Sequence, residues 1–235
     1  MISSKVIEYL SPLFEIIKNS KGKTIGQIKE ELNIERTMKK GASGLIVENL
    51  LSIANNNRDE PDIPEIGCEI KILPLQQNKD GTIKAKEPTA IQMINYIEVA
   101  SEVWENAKLR NKISLTFWVV YLAKELGKKL SQDDYVIIDY YLDHPNNIQN
   151  AVFKEDWEEI RDYIVKGWAD KLSCSMGTYL EPKTKGKNNK DVTSAPDGKG
   201  GIIKARRRAF YYKKNYTNTQ IIPNLNLDII NKNEH

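Results

Sequence analysis

Cysteine and histidine are nearly absent, with two of each in 235 residues. Cys68 and Cys174 stand far apart, and so do His144 and His235. Four-ligand structural zinc needs Cys and His at short spacings, so it is excluded, and a disulfide framework is excluded with it. Two buried, reduced thiols are the expected state. Nucleophilic triads built on histidine are equally hard to assemble. Long apolar runs are missing too. Phe117–Ala123 is far too short to span a bilayer. Met1–Asn19 reads as an amphipathic helix carrying Lys5, Glu8, Glu15 and Lys18, without the apolar core or small-residue cleavage site of a signal peptide. The expected location is cytoplasmic, with no membrane partner.

What is present is an ordinary globular balance, 40% hydrophobic and 29% charged. The length suits a single domain over 1–235, with room for a second lobe, and is enough to bury a core without staples. Net charge is only +3, yet it is unevenly spread. Eleven basic residues between Lys183 and Lys214 face only Asp191 and Asp197. The rest of the chain then carries 24 basic against 30 acidic residues. Such segregation points one surface, 183–214, at a polyanion, with 218–235 following as a tail.

Periodicity organises the chain. Leu10, Leu13, Ile16 and Ile17 form a helical stripe, and Thr24-Ile-Gly-Gln27 predicts a capping box opening a short helix. A break at Gly41–Gly44 precedes a helix with Leu45, Ile46, Leu50 and Ile53 on its apolar side. After a polar turn over Asn55–Pro64, Gly67–Leu73 reads as a strand. Cys68, Ile70 and Ile72 face one way there, and Glu69 and Lys71 the other. Pro88–Trp104 is expected to be helical. Ile113–Ala123 and Tyr135–Leu142 are expected as buried strands. Glu155–Leu172 is expected as a helix with acidic residues in its first turn and Trp157, Ile160, Ile164 and Trp168 on its apolar face. Lys183–Gly201 reads as a long polar loop. The fold class is mixed α/β, helices around a central sheet.

The chemistry concentrates in one place. Glu69-Ile-Lys71 puts a carboxylate and an ammonium on one face of a strand. Asp62, across a proline-containing bend, supplies a second carboxylate at the strand's start. Converging carboxylates suit Mg²⁺, a hard cation that prefers oxygen. A neighbouring lysine can orient an attacking water. Alone the pattern is weak, because charges alternating with apolar residues are the usual wet face of an edge strand.

Several segments taken in order are more specific. Pro61-Asp-Ile-Pro-Glu-Ile-Gly-Cys-Glu-Ile-Lys-Ile-Leu-Pro74 resembles the active-site segment of the MutH/Sau-type GATC endonuclease family. So does Gly44-Leu-Ile-Val-Glu48 at its spacing ahead of the aspartate. Trp104-Glu105 with Arg110-Asn-Lys112, Glu155-Asp-Trp-Glu-Glu-Ile160 and Arg208-Ala-Phe-Tyr-Tyr-Lys-Lys-Asn-Tyr-Thr217 resemble further family segments. The resemblance runs from about Gly22 to Thr217.

It implies a restriction-endonuclease-like (PD-(D/E)xK) fold and Mg²⁺-dependent hydrolysis of double-stranded DNA at GATC. Asp62 and Glu69 would be metal ligands, Lys71 the water-positioning lysine, Glu48 an assistant, and Lys112 a phosphate-stabilising lysine. Lys40 would support DNA binding. Lys183-Thr-Lys-Gly-Lys-Asn188 resembles the base-reading loop. Lys185 would reach a guanine edge, beside Gly186, with Lys183 and Lys187 on phosphates. Arg208, Lys213 and Lys214 join the DNA-binding set. Tyr211 matches a tyrosine that, in the mismatch-repair branch, approaches adenine and senses its methylation. Met93-Ile-Asn-Tyr-Ile-Glu-Val-Ala100 and Glu181-Pro-Lys-Thr-Lys-Gly186 look more like the restriction branch, which appends a second domain of similar fold to this one. The favoured expectation is a type II restriction endonuclease dimerising transiently on DNA. Its rivals are a strand-nicking repair enzyme needing a MutL-like activator and, ranked lower, a non-catalytic DNA-binding module.

Overall fold

The computed structural model describes residues 2–35, 42–53, 60–125, 130–188 and 190–231. Lys40, the predicted break at Gly41 and much of the turn after Asn55 lie outside them. In chain order the elements begin α1 (Ser4–Ser20), α2 (Ile25–Glu31), α3 (Ala42–Leu50), β1 (Glu69–Gln77), β2 (Ile83–Ala85) and β3 (Thr89–Met93). They continue α4 (Tyr96–Ser101), α5 (Lys108–Ile113), β4 (Thr116–Lys124), β5 (Val136–Asp143) and α6 (Asn147–Val165). Then come β6 (Leu180–Thr184), β7 (Val192–Pro196), β8 (Ile202–Arg206) and β9 (Arg208–Tyr212), followed by short helical turns of which the last is Asp228–Asn231. The expected α/β class is observed, and it is partitioned into two compact units.

The first unit comprises 1–87, 115–144 and 218–235. Its sheet runs β2-β1-β4-β5, with β1 and β4 parallel and the other pairings antiparallel. One sheet face presents Cys68, Ile70, Phe117, Val119 and Tyr121 to Leu10 and Ile17 of α1, Ile25 and Ile28 of α2, and Ile46 and Val47 of α3. The α2 capping box forms as the sequence requires, Thr24 and Gln27 each satisfying the other's backbone N–H. Residues after Asn218 join this unit. Asn218 Oδ1 accepts from Ala85 N at 2.8 Å, and Asp139 Oδ2 from Asn226 N at 2.7 Å. Among the described residues no helix is long and apolar enough to cross a membrane.

The second unit comprises 88–114 and 145–217, with a sheet β3-β9-β6 and a ribbon β7-β8, all antiparallel. Three expectations fail here. Thr89–Met93 is a strand rather than the start of a helix, because it alternates onto β9 and the helix waits for its Asn95 cap. The helix expected from Glu155 begins at Asn147, where Asn146 and Gln149 make a capping box. Its acidic run therefore sits mid-helix, and Trp168 lies beyond its end, 41% exposed. The polar stretch after Lys183 is largely a two-stranded ribbon, closed by Asp197 Oδ1 accepting from Lys199 N and Gly201 N.

Gly167 ends α6 at φ +77°, and its backbone meets the ribbon turn so closely that a Cβ would stand 2.2 Å from Asp197 O. Gly167→Ala therefore adds a backbone clash to a left-handed penalty, together about 3 kcal/mol or more. Thermal melting should drop by roughly 6–12 °C. Gly22→Ala, at φ +83° with nothing within 4 Å, should cost only the backbone part. Equal melting of the two variants would contradict this account.

Candidate functional site

In the first unit the chain turns back between an Ile63–Cys68 bridge, through Gly67 at φ +65°. That turn returns Asp62 to the head of β1, where its Oδ2 accepts from Ile70 N at 2.9 Å. The bond is possible because β2 pairs only with Leu75–Gln77, leaving the first half of that β1 edge open. Cys68 and Ile70 point into the core, so Glu69 and Lys71 share the other face. The alternation is as expected, but the face is not wet. Glu69 is 2% exposed, and Lys71 Nζ lies 2.6 Å from its Oε1. An ion pair this buried is held by geometry, since neither charge keeps its water.

Glu48, on α3, belongs to the same neighbourhood. Burial raises its carboxyl above the usual range, the Asp62 carboxylate adds to the rise, and Lys71 opposes it. Glu48 Oε2 is buried without a hydrogen-bond partner. A buried, unsatisfied carboxylate oxygen is costly and calls for a cation or donor. Burial pushes the Cys68 thiol up to about 12, so it is a protonated core group as expected, whereas Cys174, expected to be buried as well, is exposed.

These residues fit Mg²⁺ by their chemistry: three hard oxygen donors, one of them orphaned. Among the described residues no group of three or more His, Cys, Asp and Glu is gathered tightly enough to enclose an ion. Mg²⁺ is commonly held by one or two carboxylates, with water and phosphate oxygens completing the shell.

The second unit holds the other candidates. Lys112 sits on α5, 7% exposed. Lys183 and Tyr211 lie on one face of the β6–β9 pair. The Lys183 and Lys185 ammoniums stand 5.5 and 5.8 Å from the Tyr211 ring centroid. Lys185, Gly186 and Lys187 are exposed on a loop that is pinned rather than loose. Asp191 accepts from Lys187 N at 3.0 Å and from Arg207 Nε at 2.7 Å, and Lys185 N donates to Arg207 O at 3.0 Å.

Two members of the expected DNA-binding set are turned inward. Arg208 is 4% exposed and donates to Pro182 O at 3.2 Å and to Asp170 O at 3.4 Å. Lys213 Nζ donates to Met176 O and Gly177 O at 3.0 and 2.8 Å. Both tie strands and loop together. Lys214 is partly exposed just beyond β9.

Sequence reasoning missed Glu181 and Asp156. Glu181 is 6% exposed and directly opposite Tyr211. The signal was there, since Glu181-Pro-Lys183 repeats the Glu-x-Lys spacing of β1. Asp156, 5% exposed on α6, accepts from the N–H groups of Thr178, Tyr179 and Leu180. No local pattern announces it.

Comparison with known proteins adds the following. The family model for MutH, the DNA mismatch repair enzyme, matches residues 51–156, a span that holds Asp62, Glu69, Lys71 and Lys112. The chain is 32% identical over 209 residues to the type II restriction enzyme Sau3AI of Staphylococcus aureus, covering 86% of this chain but 41% of that enzyme. It is 29% identical over 212 residues to the DNA mismatch repair protein MutH of Haemophilus influenzae (strain PittGG), covering 88% of this chain and 92% of that protein. A solved complex of restriction endonuclease MvaI with cognate DNA superposes at a TM-score of 0.39 and 13% identity, over 89% of this chain and 94% of that one. That likeness is too loose to argue from.

Proposed function

We infer, for a chain that belongs to the MutH/Sau-type endonuclease family, that it is a Mg²⁺-dependent endonuclease hydrolysing both strands of double-stranded DNA at GATC. The observation that carries the reading is the convergence of Asp62, the Glu69–Lys71 pair and the orphaned Glu48 oxygen at the head of β1. Asp62 and Glu69, with Glu48 beside them, would hold the ion, which when bound polarises a phosphoryl oxygen and neutralises developing charge. Lys71, fixed by Glu69, orients the attacking water. Lys112 supplies a further cation for the phosphate. Lys185 reads a guanine edge, Lys183 and Lys187 lie along phosphates, and Tyr211 faces the target adenine. A palindrome cut on both strands needs two such centres, so two copies assemble on the site. The setting is cytoplasmic.

A second reading, a repair enzyme that nicks one strand and depends on a MutL-like activator, is favoured by Tyr211. Plasmids bearing GATC, methylated and unmethylated at adenine, separate the two when incubated with the pure protein and Mg²⁺ or EDTA. Linear fragments without any partner are expected, lost in EDTA. Nicked circles alone would favour the second reading, and no cleavage under any condition, with DNA still bound, would favour a binding module. Protection by methylation would implicate Tyr211.

A further inference from the structure

The face of β6–β9 that carries Tyr211 also carries a carboxylate, which a surface made only for phosphates would exclude. Glu181 lies directly across from Tyr211, and Lys183 follows on the same face two residues along β6. Leu180, Pro182, Phe210 and Tyr212 occupy the other, buried face. Glu181 is 6% exposed, a mostly buried carboxylate on the face that Tyr211 and Lys183 share. Burial raises its carboxyl above the usual range, while Lys183 and Lys213 pull it back toward the charged form. Such a carboxylate gains when a ligand that displaces its remaining water supplies a donor in its place.

The surroundings decide what kind of donor. A phosphate carries only acceptors and would be repelled by a carboxylate. Base edges in the major groove present both kinds of group. Guanine offers the O6 and N7 acceptors, while adenine N6 and cytosine N4 are amine donors. Lysine only donates and an ionised carboxylate only accepts, so Lys183 or Lys185 beside Glu181 matches an acceptor and a donor read together. Two residues along a strand is about 6.6 Å, well inside a major groove roughly 12 Å wide.

We propose that Glu181 is a specificity-determining residue that accepts a hydrogen bond from the exocyclic amine of a base in the recognition site, adenine N6 or cytosine N4. This rests on the reading of the chain as a GATC endonuclease and adds to it a direct acceptor of its own.

The test pairs protein and DNA deletions in binding titrations without Mg²⁺. Wild type and Glu181→Ala meet four duplexes: the GATC site, the site with purine in place of adenine, the site with 2-pyrimidinone in place of cytosine, and a scrambled sequence. The two analogues delete the N6 and N4 amines respectively. One of them should weaken wild-type binding roughly ten- to a hundredfold. Glu181→Ala should weaken binding to the intact site equally and be indifferent to that analogue, with affinity for the scrambled duplex unchanged. The coupled analogue identifies the base. Additive losses with both analogues overturn the assignment. If wild type shows no preference for GATC over the scrambled duplex, the functional reading itself has failed. Glu181→Met, which keeps the volume and removes the acceptor, runs the same cycle if the alanine variant does not fold.

Discussion

Glu69→Gln is expected to bind duplex DNA within a few-fold of wild type and to cleave it about a thousandfold more slowly, the scale on which removal of a charge-stabilising group acts. Glutamine is the informative substitution because of where Glu69 sits. The side chain is 2% exposed and 2.6 Å from Lys71 Nζ, whose own side chain is 14% exposed. Alanine would remove the carboxylate bonded directly to that largely buried ammonium, a loss of up to about 3–5 kcal/mol that would confuse folding with catalysis. Glutamine keeps the volume and an oxygen for Lys71 while removing the negative charge. Single-turnover cleavage of a GATC duplex, with binding measured separately by anisotropy, checks the result. Lys71→Ala combined with Glu69→Gln should be no slower than the worse single variant, since groups acting on one water are not additive. Near wild-type cleavage by Glu69→Gln would remove Glu69 from the centre.

The contrast between β1 and the ribbon β7-β8 explains what the sequence disclosed. The head of β1 was legible because its determinants are local. A period of two separates Cys68 and Ile70 from Glu69 and Lys71, and Gly67 at φ +65° marks the turn that brings Asp62 back. The ribbon was not legible. Its pairing is hidden by Lys, Asn and Gly, and what holds it is Asp191 with Arg207 and the close approach of Gly167 to Asp197. Thr89–Met93 was misread for a similar reason, since the β9 residues it pairs with lie far along the chain. The acidic run from Glu155 marks no helix start, because Asn146 and Gln149 form the capping box that opens α6 well upstream of it. Arg208 and Lys213 show the limit of counting charge. A guanidinium or ammonium that donates to backbone carbonyls inside the unit adds to the basic composition while holding strands and loop together. For Glu181 the residue type and spacing were visible, but its burial and its place opposite Tyr211 were not.

Asp156→Ala should cost as much stability as any single substitution considered. Its carboxylate accepts from Thr178 N at 2.7 Å on Oδ1, and from Tyr179 N and Leu180 N at 2.6 and 2.8 Å on Oδ2. Leu180 is fully buried, so removing the acceptor orphans an N–H that water cannot reach, along with the part-buried N–H groups of Thr178 and Tyr179. Each such donor costs about 1–3 kcal/mol, and a total near 3–5 kcal/mol is a large part of the 5–15 kcal/mol typical of a folded domain. Asp156→Asn should fall between, because its amide keeps one oxygen and turns an N–H toward the remaining donors. Chemical denaturation followed by tryptophan fluorescence gives the order wild type, Asn, Ala. The consequence extends to recognition, since Asp156 anchors the first residue of the strand that carries Glu181 and Lys183. At a temperature where Asp156→Asn is still folded, its preference for GATC over a scrambled duplex should shrink more than its low-salt affinity for either. Equal weakening on both would mean that Asp156 serves stability alone.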